Sequence, residues 1–318
     1  MHRRCSINMD VLLDGNETIR YSRHLNLPQV GLEGQIKLKQ ASIIVVGAGG
    51  LGSPVLLYLA AVGVGKIGII DNDVVELSNL QRQIIHSNSK IGESKAESAA
   101  LRISDLNPRI EVVPINVRLD NENVLDILSG YDVVIDGTDN FETRYIIGDA
   151  CEKLEIPWIF GSIHRFDGQV STFNYKNGPN YRDLFPSPPP LELAPNCEEA
   201  GVLGVLPGMI GTIQATESIK IILGIGEILR GKLLTLDALT MEMRILKFSA
   251  NSNSPDVDQS KNRDVLEMLE ISPVEFENKK NNGWKVFLLD VRRGEEEEIT
   301  SIDGTDLRIE HLAIPDRV

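Results

Sequence analysis

A chain of 318 residues, 42% of them hydrophobic, can bury one large α/β core and a smaller appendage. Its formal net charge of -14 leaves no basic stripe for a nucleic acid, so we expect no nucleic-acid partner. The three cysteines, Cys5, Cys151 and Cys197, form no CxxC pair, which argues against a disulfide framework or a thiolate zinc site. No apolar run is long enough for a membrane span or a signal-peptide core, so the sequence predicts a cytoplasmic protein.

Strand-like and helix-like segments alternate along the first part of the chain. Residues 1–16 are predicted to be a loose N-terminal extension, and helical pieces broken at Pro28 and Gly31 follow. β-branched apolar runs then predict parallel strands separated by helices. The predicted strands are 42–47, 66–71, 111–115, 132–136 and 158–160, and the helices include 53–62 and 141–154. This alternation predicts a doubly wound, mostly parallel, Rossmann-like sheet.

The pattern changes after this alternation. A strand is predicted near 168–175, a proline-rich loop at 186–196, a long helix at 207–223, and closing antiparallel strands at 233–248. A polar stretch follows, with the composition of a linker. The predicted organisation is therefore one domain at 17–248, a linker at 249–263 and a small unit at 264–318.

A glycine-rich turn follows the first predicted strand. The sequence Gly47-Ala-Gly49-Gly50-Leu-Gly52 matches GxGxxG between a strand and a helix, so bare backbone can approach a phosphate group at the helix N-terminus. Asp71, which ends the next strand, is placed to accept hydrogen bonds from ribose hydroxyls. These features indicate a nucleotide site with NAD as the default ligand; a tight turn without a ligand is the plainer alternative.

The segment beyond Asp71 favours a triphosphate over a dinucleotide. It collects amides and cations, which a triphosphate needs at its β and γ groups and which a dehydrogenase does not need there. Taken singly, Arg82 or Lys95 has a plainer explanation as a solvated surface charge, which is the commoner fate of a single arginine or lysine. The candidate nucleotide-binding residues in this segment are Asp73, Ser78, Asn79, Arg82, Gln83 and Lys95.

Six separated motifs, in the right order, resemble those of the ThiF/MoeB family of activating enzymes, relatives of the catalytic domain of ubiquitin-activating enzymes. The resemblance covers residues 19–248. The motifs are Arg20-Tyr-Ser-Arg23, Gly47 to Ser53, Asp71 to Gln83, Gly92-Glu-Ser-Lys95, Asp136-Gly-Thr-Asp139-Asn140, and Asn196-Cys197-Glu-Glu-Ala-Gly-Val-Leu-Gly204.

The resemblance implies roles for individual residues. It assigns ATP to Gly50 and its neighbours, Asp71, the segment 78–82, Lys95, Asp139 and Asn140. Asp139 would also position Mg²⁺, a hard cation that prefers carboxylate and phosphate oxygens. Arg23 would reach the triphosphate of the opposite subunit, which makes a homodimer part of the expectation. Arg82, Lys95 and Asp139 are the catalytic candidates.

The reaction implied by the resemblance is adenylation of a small ubiquitin-like sulfur-carrier protein that ends in Gly-Gly. Its terminal carboxylate would attack the α-phosphorus of ATP and release pyrophosphate. A carboxylate is already ionised at neutral pH, so no general base is required and the protein supplies alignment and charge neutralisation. The expected pathway is molybdenum cofactor synthesis first and thiamine synthesis second; the sulfur donor stays open, a cysteine desulfurase being one candidate.

Cys197 has two interpretations. In some members of the family the cysteine at this position forms a thioester or an acyl disulfide with the carrier, and in others it is dispensable. The neighbouring carboxylates of Glu198 and Glu199 disfavour a thiolate here. A covalent role and an ordinary loop cysteine therefore stay equally open. Cys5 is interpreted as a thiol of the tail and Cys151 as a small apolar residue buried in a helix.

The chain departs from the family pattern in two places. Asn180-Tyr-Arg-Asp183 stands where many relatives have a zinc-binding CxxC pair, so we expect no structural zinc and expect packing to stabilise residues 178–184. The last unit resembles the beginning of a rhodanese domain, with Leu288-Leu-Asp290-Val-Arg292 as its strand. Because no cysteine follows Cys197, we expect no sulfur transfer from this unit.

Two other functional classes compete with adenylation. The glycine loop alone is compatible with an NAD-dependent oxidoreductase, but His24, His86, His164 and His311 lie outside any recognisable acid/base pair. The second alternative is a catalytically silent scaffold that binds the carrier. The intact Arg23, Arg82, Lys95 and Asp139 argue against a decayed site.

Overall fold

The computed structural model describes residues 12–188 and 201–250, together with two short strands near the C-terminus. The chain divides into two units, 1–252 and 253–318, and the division falls inside the predicted linker. Cys5 and Cys197 lie outside the described residues, as does most of the second unit. The rhodanese-like character of that unit therefore stays a prediction. No helix in the described ranges is long and apolar enough to cross a bilayer.

Helices and strands follow one another much as the sequence predicts. The helices are α1 (Gly15–Arg20), α2 (Ser22–Leu25), α3 (Gly31–Gln40), α4 (Gly52–Val62), α5 (Lys95–Leu106), α6 (Val124–Leu128), α7 (Phe141–Leu154), α8 (Tyr181–Leu184) and α9 (Leu206–Leu223). The strands are β1 (Ser42–Val46), β2 (Lys66–Ile70), β3 (Glu111–Ile115), β4 (Val133–Asp136), β5 (Trp158–His164), β6 (Asp167–Phe173), β7 (Lys232–Asp237), β8 (Glu242–Lys247), β9 (Leu289–Asp290) and β10 (Leu307–Arg308).

One eight-stranded sheet organises the first unit. Its strand order is β3-β2-β1-β4-β5-β6-β7-β8. The first five strands in this order are parallel and the last three join antiparallel. The predicted Rossmann-like sheet with antiparallel extension is therefore confirmed. Strand β5 runs four residues beyond its predicted end at Phe160, because residues 161–164 pair with β6 although they lack an apolar run.

The hydrophobic core lies on both faces of the sheet. Alternate residues of a strand point to opposite faces, so β1 sends Ile43 and Val45 to one cluster and Ile44 and Val46 to the other. All four side chains are buried, which explains the unbroken apolar run of this strand. Cys151 of α7 is also buried, as predicted, and burial raises the pKa of its thiol well above the ordinary range.

Regular structure begins slightly earlier than the sequence suggests. The Asp14 side chain accepts from the backbone N–H of Glu17 (2.8 Å), and the Glu17 carboxylate accepts from the N–H of Asp14 (2.9 Å). This reciprocal capping box starts α1 at Gly15, so residues 14–16 do not belong to a loose extension. Glu17 is buried and pairs with Lys39 at 2.7 Å, which ties α1 to α3.

Aromatic packing stabilises the segment for which the sequence predicted packing in place of zinc. Asn180 caps α8 by accepting from the N–H of Asp183 (2.9 Å). Tyr181 then packs on Trp158, Phe160 and Phe173 with ring centroids 5.1, 5.6 and 5.6 Å away. These contacts fix residues 180–184 against one face of the sheet, at β5 and β6.

We expect Trp158→Ala to lower the free energy of unfolding by about 3–5 kcal/mol, because it leaves a cavity at the centre of this fully buried cluster. Urea denaturation measures the loss. Leu239→Ala is the matched control: Leu239 is 69% exposed in the turn between β7 and β8, so its truncation should change stability by less than about 0.5 kcal/mol. Equal losses in the two variants would contradict the assignment of the core.

Candidate functional site

The glycine loop joins β1 to α4 and contacts the loop that follows β4. Gly47 has a φ of +97°, which residues with a side chain rarely adopt. A Cβ on Gly47 would lie 2.6 Å from the Gly137 carbonyl oxygen, and one on Gly137 would lie 2.7 Å from the Gly47 carbonyl oxygen. A Cβ on Gly52 would clash with that same Gly47 oxygen. Glycine is therefore required at these three positions by the protein's own packing.

Gly49 and Gly50 differ from the other glycines of the loop because side chains of the neighbouring segment face them. A Cβ on Gly49 would lie 3.6 Å from Nε2 of Gln83, which is an ordinary contact. A Cβ on Gly50 would lie 3.6 Å from Cγ of Arg82 and 3.1 Å from Pro207. The structure thus brings Arg82 and Gln83 onto the glycine loop.

Gln83 is buried, and its side-chain oxygen has no hydrogen-bond partner among the described residues. An unpaired buried acceptor is costly, so a donor such as a hydroxyl group or a water molecule is expected to satisfy this oxygen. Arg82 is half-buried and donates from Nη1 to the Ser78 carbonyl oxygen at 3.3 Å. The Gln83 amide nitrogen and the Arg82 guanidinium are hydrogen-bond donors beside bare backbone, and such donors fit the phosphate chain of a nucleotide.

Asp71 closes the glycine loop, a role that the sequence did not reveal. Its Oδ2 accepts from the backbone N–H of Ala48 (2.8 Å) and its Oδ1 accepts from that of Asp73 (2.9 Å). Burial raises the pKa of Asp71, and the two backbone donors act in the opposite direction. Each carboxylate oxygen keeps a further lone pair, so the predicted contact with ribose hydroxyls remains chemically open.

Lys95 and Asp73 form a pair at the N-terminus of α5. Nζ of Lys95 lies 2.8 Å from Oδ2 of Asp73, and the Lys95 backbone N–H donates to the Asp73 carbonyl oxygen at 2.9 Å. The Lys95 side chain is 9% exposed, whereas that of Asp73 is 61% exposed. The cation is therefore held inside the protein while its counterion lies at the surface.

The remaining predicted residues occupy loops around these groups. Asn79 is buried and its Oδ1 accepts from the Glu76 N–H at 3.3 Å, which shapes the short turn containing Ser78. Asn140 caps α7 by accepting from the Thr143 N–H at 2.9 Å. Asp139, directly before it, is exposed just beyond the end of β4.

Arg23 stands apart from the other candidates. It is exposed on α2, a short helix that packs against α3. No hydrogen bond or ion pair within residues 12–188 and 201–250 joins it to the glycine loop. The expectation that it serves the opposite subunit stays a prediction, as does the covalent role of Cys197, which lies outside the described residues.

The sequence missed the contribution of His86. This side chain is buried, with Nε2 2.9 Å from the Ala48 carbonyl oxygen and Nδ1 3.0 Å from the Ser98 hydroxyl. Burial, aided by the nearby charge of Lys95, lowers its pKa. The ring is therefore neutral at pH 7: its Nε2–H donates to the glycine loop and its Nδ1 accepts from Ser98. A lone histidine carries no pattern from which this role could be deduced.

Comparison with known proteins identifies the family of this chain. The model of the ThiF family matches residues 21–257. The chain belongs to the ThiF family. Its sequence is 48% identical over 298 residues to a protein of Porphyra purpurea named probable molybdopterin-synthase adenylyltransferase, covering 90% of this chain and 77% of that one. It is 50% identical over 244 residues to the sulfur carrier protein adenylyltransferase of Thermus thermophilus, covering 75% and 90%.

Solved structures confirm the ThiF-type fold. The crystal structure of E. coli MccB with ATP superposes with a TM-score of 0.64 and covers 73% of this chain and 72% of its own. The two sequences are 22% identical, so this likeness concerns the fold. Membership of the ThiF family therefore rests on the sequence comparisons, and the superposition agrees with it.

We expect the free energy of unfolding to fall as the pH drops below about 6.5, in part because of His86. Its pKa is lower in the folded than in the unfolded protein, so between the two values the unfolded chain binds a proton that the folded chain excludes. His86→Gln keeps a donor towards Ala48 but does not titrate. The thermal midpoint of this variant, measured from pH 8 to pH 5, should fall less steeply than that of the wild type. Parallel curves would contradict the assignment.

Proposed function

We propose that this ThiF-family protein uses ATP and Mg²⁺ to adenylate the C-terminal carboxylate of a small ubiquitin-like sulfur-carrier protein. The observation that carries the proposal is the placement of two hydrogen-bond donors on the glycine loop, namely Arg82 and the amide nitrogen of Gln83. The names of the relatives, adenylyltransferases for molybdopterin synthase and for a sulfur carrier, support the choice of substrate.

The site's charges suit this reaction. The carrier carboxylate forms a bond to the α-phosphorus while the bond to the β-phosphate oxygen breaks, so negative charge accumulates on the leaving pyrophosphate. Arg82 and Lys95 are the cations proposed to receive it. Lys95 exchanges its pairing with Asp73 for the phosphate oxygens, and its burial strengthens that interaction.

Asp139 is the proposed protein ligand of Mg²⁺. When bound, the ion neutralises phosphate charge as the pyrophosphate leaves. Among the described residues no group of three or more His, Cys, Asp or Glu side chains comes together as a metal site. Mg²⁺ typically takes one or two carboxylates and completes its shell with phosphate oxygens and water, so the single carboxylate of Asp139 suits it.

Further elements of the proposal concern partners and location. We propose a homodimer in which Arg23 of each subunit reaches the nucleotide of the other, in keeping with its exposure on α2. A cytoplasmic location, a molybdenum-cofactor pathway ahead of thiamine, and a cysteine desulfurase as the sulfur donor complete it.

An NAD oxidoreductase is disfavoured because His86, the buried histidine at the glycine loop, is occupied in holding that loop.

Exchange of labelled pyrophosphate into ATP tests the proposed reaction. We expect exchange that requires a carrier ending in Gly-Gly, because only its carboxylate can form the adenylate. Asp139→Ala should reduce exchange by at least about 100-fold, because charge neutralisation of the leaving group is lost. Carrier binding without exchange would instead support the scaffold, and an NADH-linked absorbance change would support the oxidoreductase.

Cys197→Ala is the matched control in that assay. Adenylate formation needs no thiol, so this variant should exchange at the wild-type rate even if Cys197 acts in a later transfer step. Loss of exchange on replacing Cys197, with retention on replacing Asp139, would overturn the assignment of both residues. Equal retention in the two variants would remove Asp139 from the site.

Two alanine substitutions in the glycine loop separate ligand binding from folding. Gly49→Ala adds a methyl group that meets only the Gln83 amide, so the protein should fold normally but bind ATP at least about tenfold more weakly, because the phosphate approach is blocked. Gly52→Ala clashes with backbone and should lower the thermal midpoint by several degrees. Calorimetric titration with MgATP and thermal unfolding measure the two effects; unchanged ATP affinity in Gly49→Ala would contradict the phosphate site.

A further inference from the structure

A buried ion pair lies beneath the loop that carries Asp139. Asp136 ends β4 and is fully buried, and Arg144, in the first turns of α7, is 5% exposed. Nε of Arg144 lies 3.3 Å from Oδ2 of Asp136. Apolar residues that replace such a pair often leave a protein equally stable, because burying both charges is costly. A contribution to stability alone therefore does not explain why the chain carries a buried ion pair at this place.

The two side chains together bind every backbone and side-chain polar group of Thr138. Oδ1 of Asp136 accepts from the Thr138 backbone N–H at 2.8 Å and from its hydroxyl at 2.6 Å. Nη2 of Arg144 donates to the Thr138 carbonyl oxygen at 2.9 Å. Thr138 is the residue directly before Asp139, so these bonds fix the starting point of the loop that presents the Asp139 carboxylate.

The pair is itself anchored to rigid parts of the fold. The Arg144 guanidinium lies 5.3 Å from the ring centroid of Phe160 in β5. Nε2 of Gln214, from α9, donates to the Asp136 carbonyl oxygen at 2.7 Å and to that of Ile159 at 3.2 Å. A strand, its neighbour and a long helix therefore hold Asp136 and Arg144 in place.

The opposite side of the loop touches the nucleotide site. Gly137 and Gly47 meet backbone to backbone, with no room for a Cβ on either. The segment 137–139 is thus confined between the glycine loop on one side and the buried pair on the other.

We propose that Asp136 and Arg144 are positioning residues for adenylation, which act through Thr138 to set the place of Asp139 relative to the glycine loop. This inference rests on the proposed function, because it concerns the placement of a residue assigned there to Mg²⁺. Both side chains are buried, so the pair is proposed to act through the loop and not by direct contact with the substrates. Small displacements of a reacting or charge-stabilising group are expensive, and a shift of about 1 Å can cost about 100-fold in rate.

The test uses two substitutions of Thr138 in the full-length chain. Thr138→Val keeps the β-branched shape but removes the hydroxyl that donates to Asp136, whereas Thr138→Ser keeps the hydroxyl. We expect kcat for ATP–pyrophosphate exchange to fall by about tenfold or more in Thr138→Val and to stay within about twofold of the wild type in Thr138→Ser. The Mg²⁺ concentration that gives half-maximal heat of ATP binding, read by calorimetry, should rise in Thr138→Val alone.

Glu217→Gln is the control for a purely structural effect. Glu217 is buried in α9 and accepts from the Leu229 N–H at 2.8 Å, outside the proposed site. It should lower the thermal midpoint while kcat per folded molecule stays at the wild-type value.

Three results would overturn the inference while the wild type still exchanges. The first is an unchanged kcat in Thr138→Val. The second is a fall in the activity of that variant that its unfolded fraction fully explains. The third is an equal fall in kcat in Thr138→Ser. If the wild type itself neither exchanges pyrophosphate nor binds MgATP, the proposed function fails and the inference fails with it. A wild type that binds MgATP without exchange leaves the calorimetric comparison of the two Thr138 variants to decide.

Discussion

Backbone contact between two loops determines how this protein can present a nucleotide site. The loop after β1 and the loop after β4 meet at Gly47 and Gly137, and neither residue has room for a side chain. Adjacent parallel strands place their carboxyl ends at the same edge of the sheet, so the order β2-β1-β4 brings both loops to one place. Glycines at the contact allow the candidate site residues that follow the two strands to lie close together.

Buried polar side chains then fix each loop from below. His86 and Asp71 hold the two sides of Ala48, one through its carbonyl oxygen and the other through its N–H. Asp136 and Arg144 do the same for Thr138. The supporting side chains of His86, Asp136 and Arg144 are buried, and that of Asp71 is half-buried. Support of this kind is expected where a binding site must keep its shape before the ligand arrives.

Much of the fold could be predicted from the sequence because its signals are local. The strand 111–115 and the helix 141–154 are confirmed to the residue, since apolar runs and helical length define them. Residues 161–164 were missed because their strand character comes only from pairing with β6. The start of α1 was missed because the cap at Asp14 has no apolar pattern behind it.

The candidate site could be predicted only in part, for a related reason. The glycine spacing and the cluster of Arg82, Gln83 and Lys95 are motifs with a direct chemical meaning. His86 and Arg144 act through partners that lie far away in sequence, at Ala48 and Gly161 among others. A single polar residue that contacts a distant carbonyl oxygen leaves no periodicity or spacing to read, so contacts of this kind emerge only from the folded chain.

The pairing of Lys95 with Asp73 has a consequence for how tightly any phosphate can bind. A carboxylate attached to the same polypeptide, 2.8 Å from the ammonium, behaves as an intramolecular competitor at very high local concentration. An anion that took the place of this carboxylate would first have to break the ion pair, which would weaken its affinity. In return, the pair spares the protein an unpaired buried cation when no anion is bound.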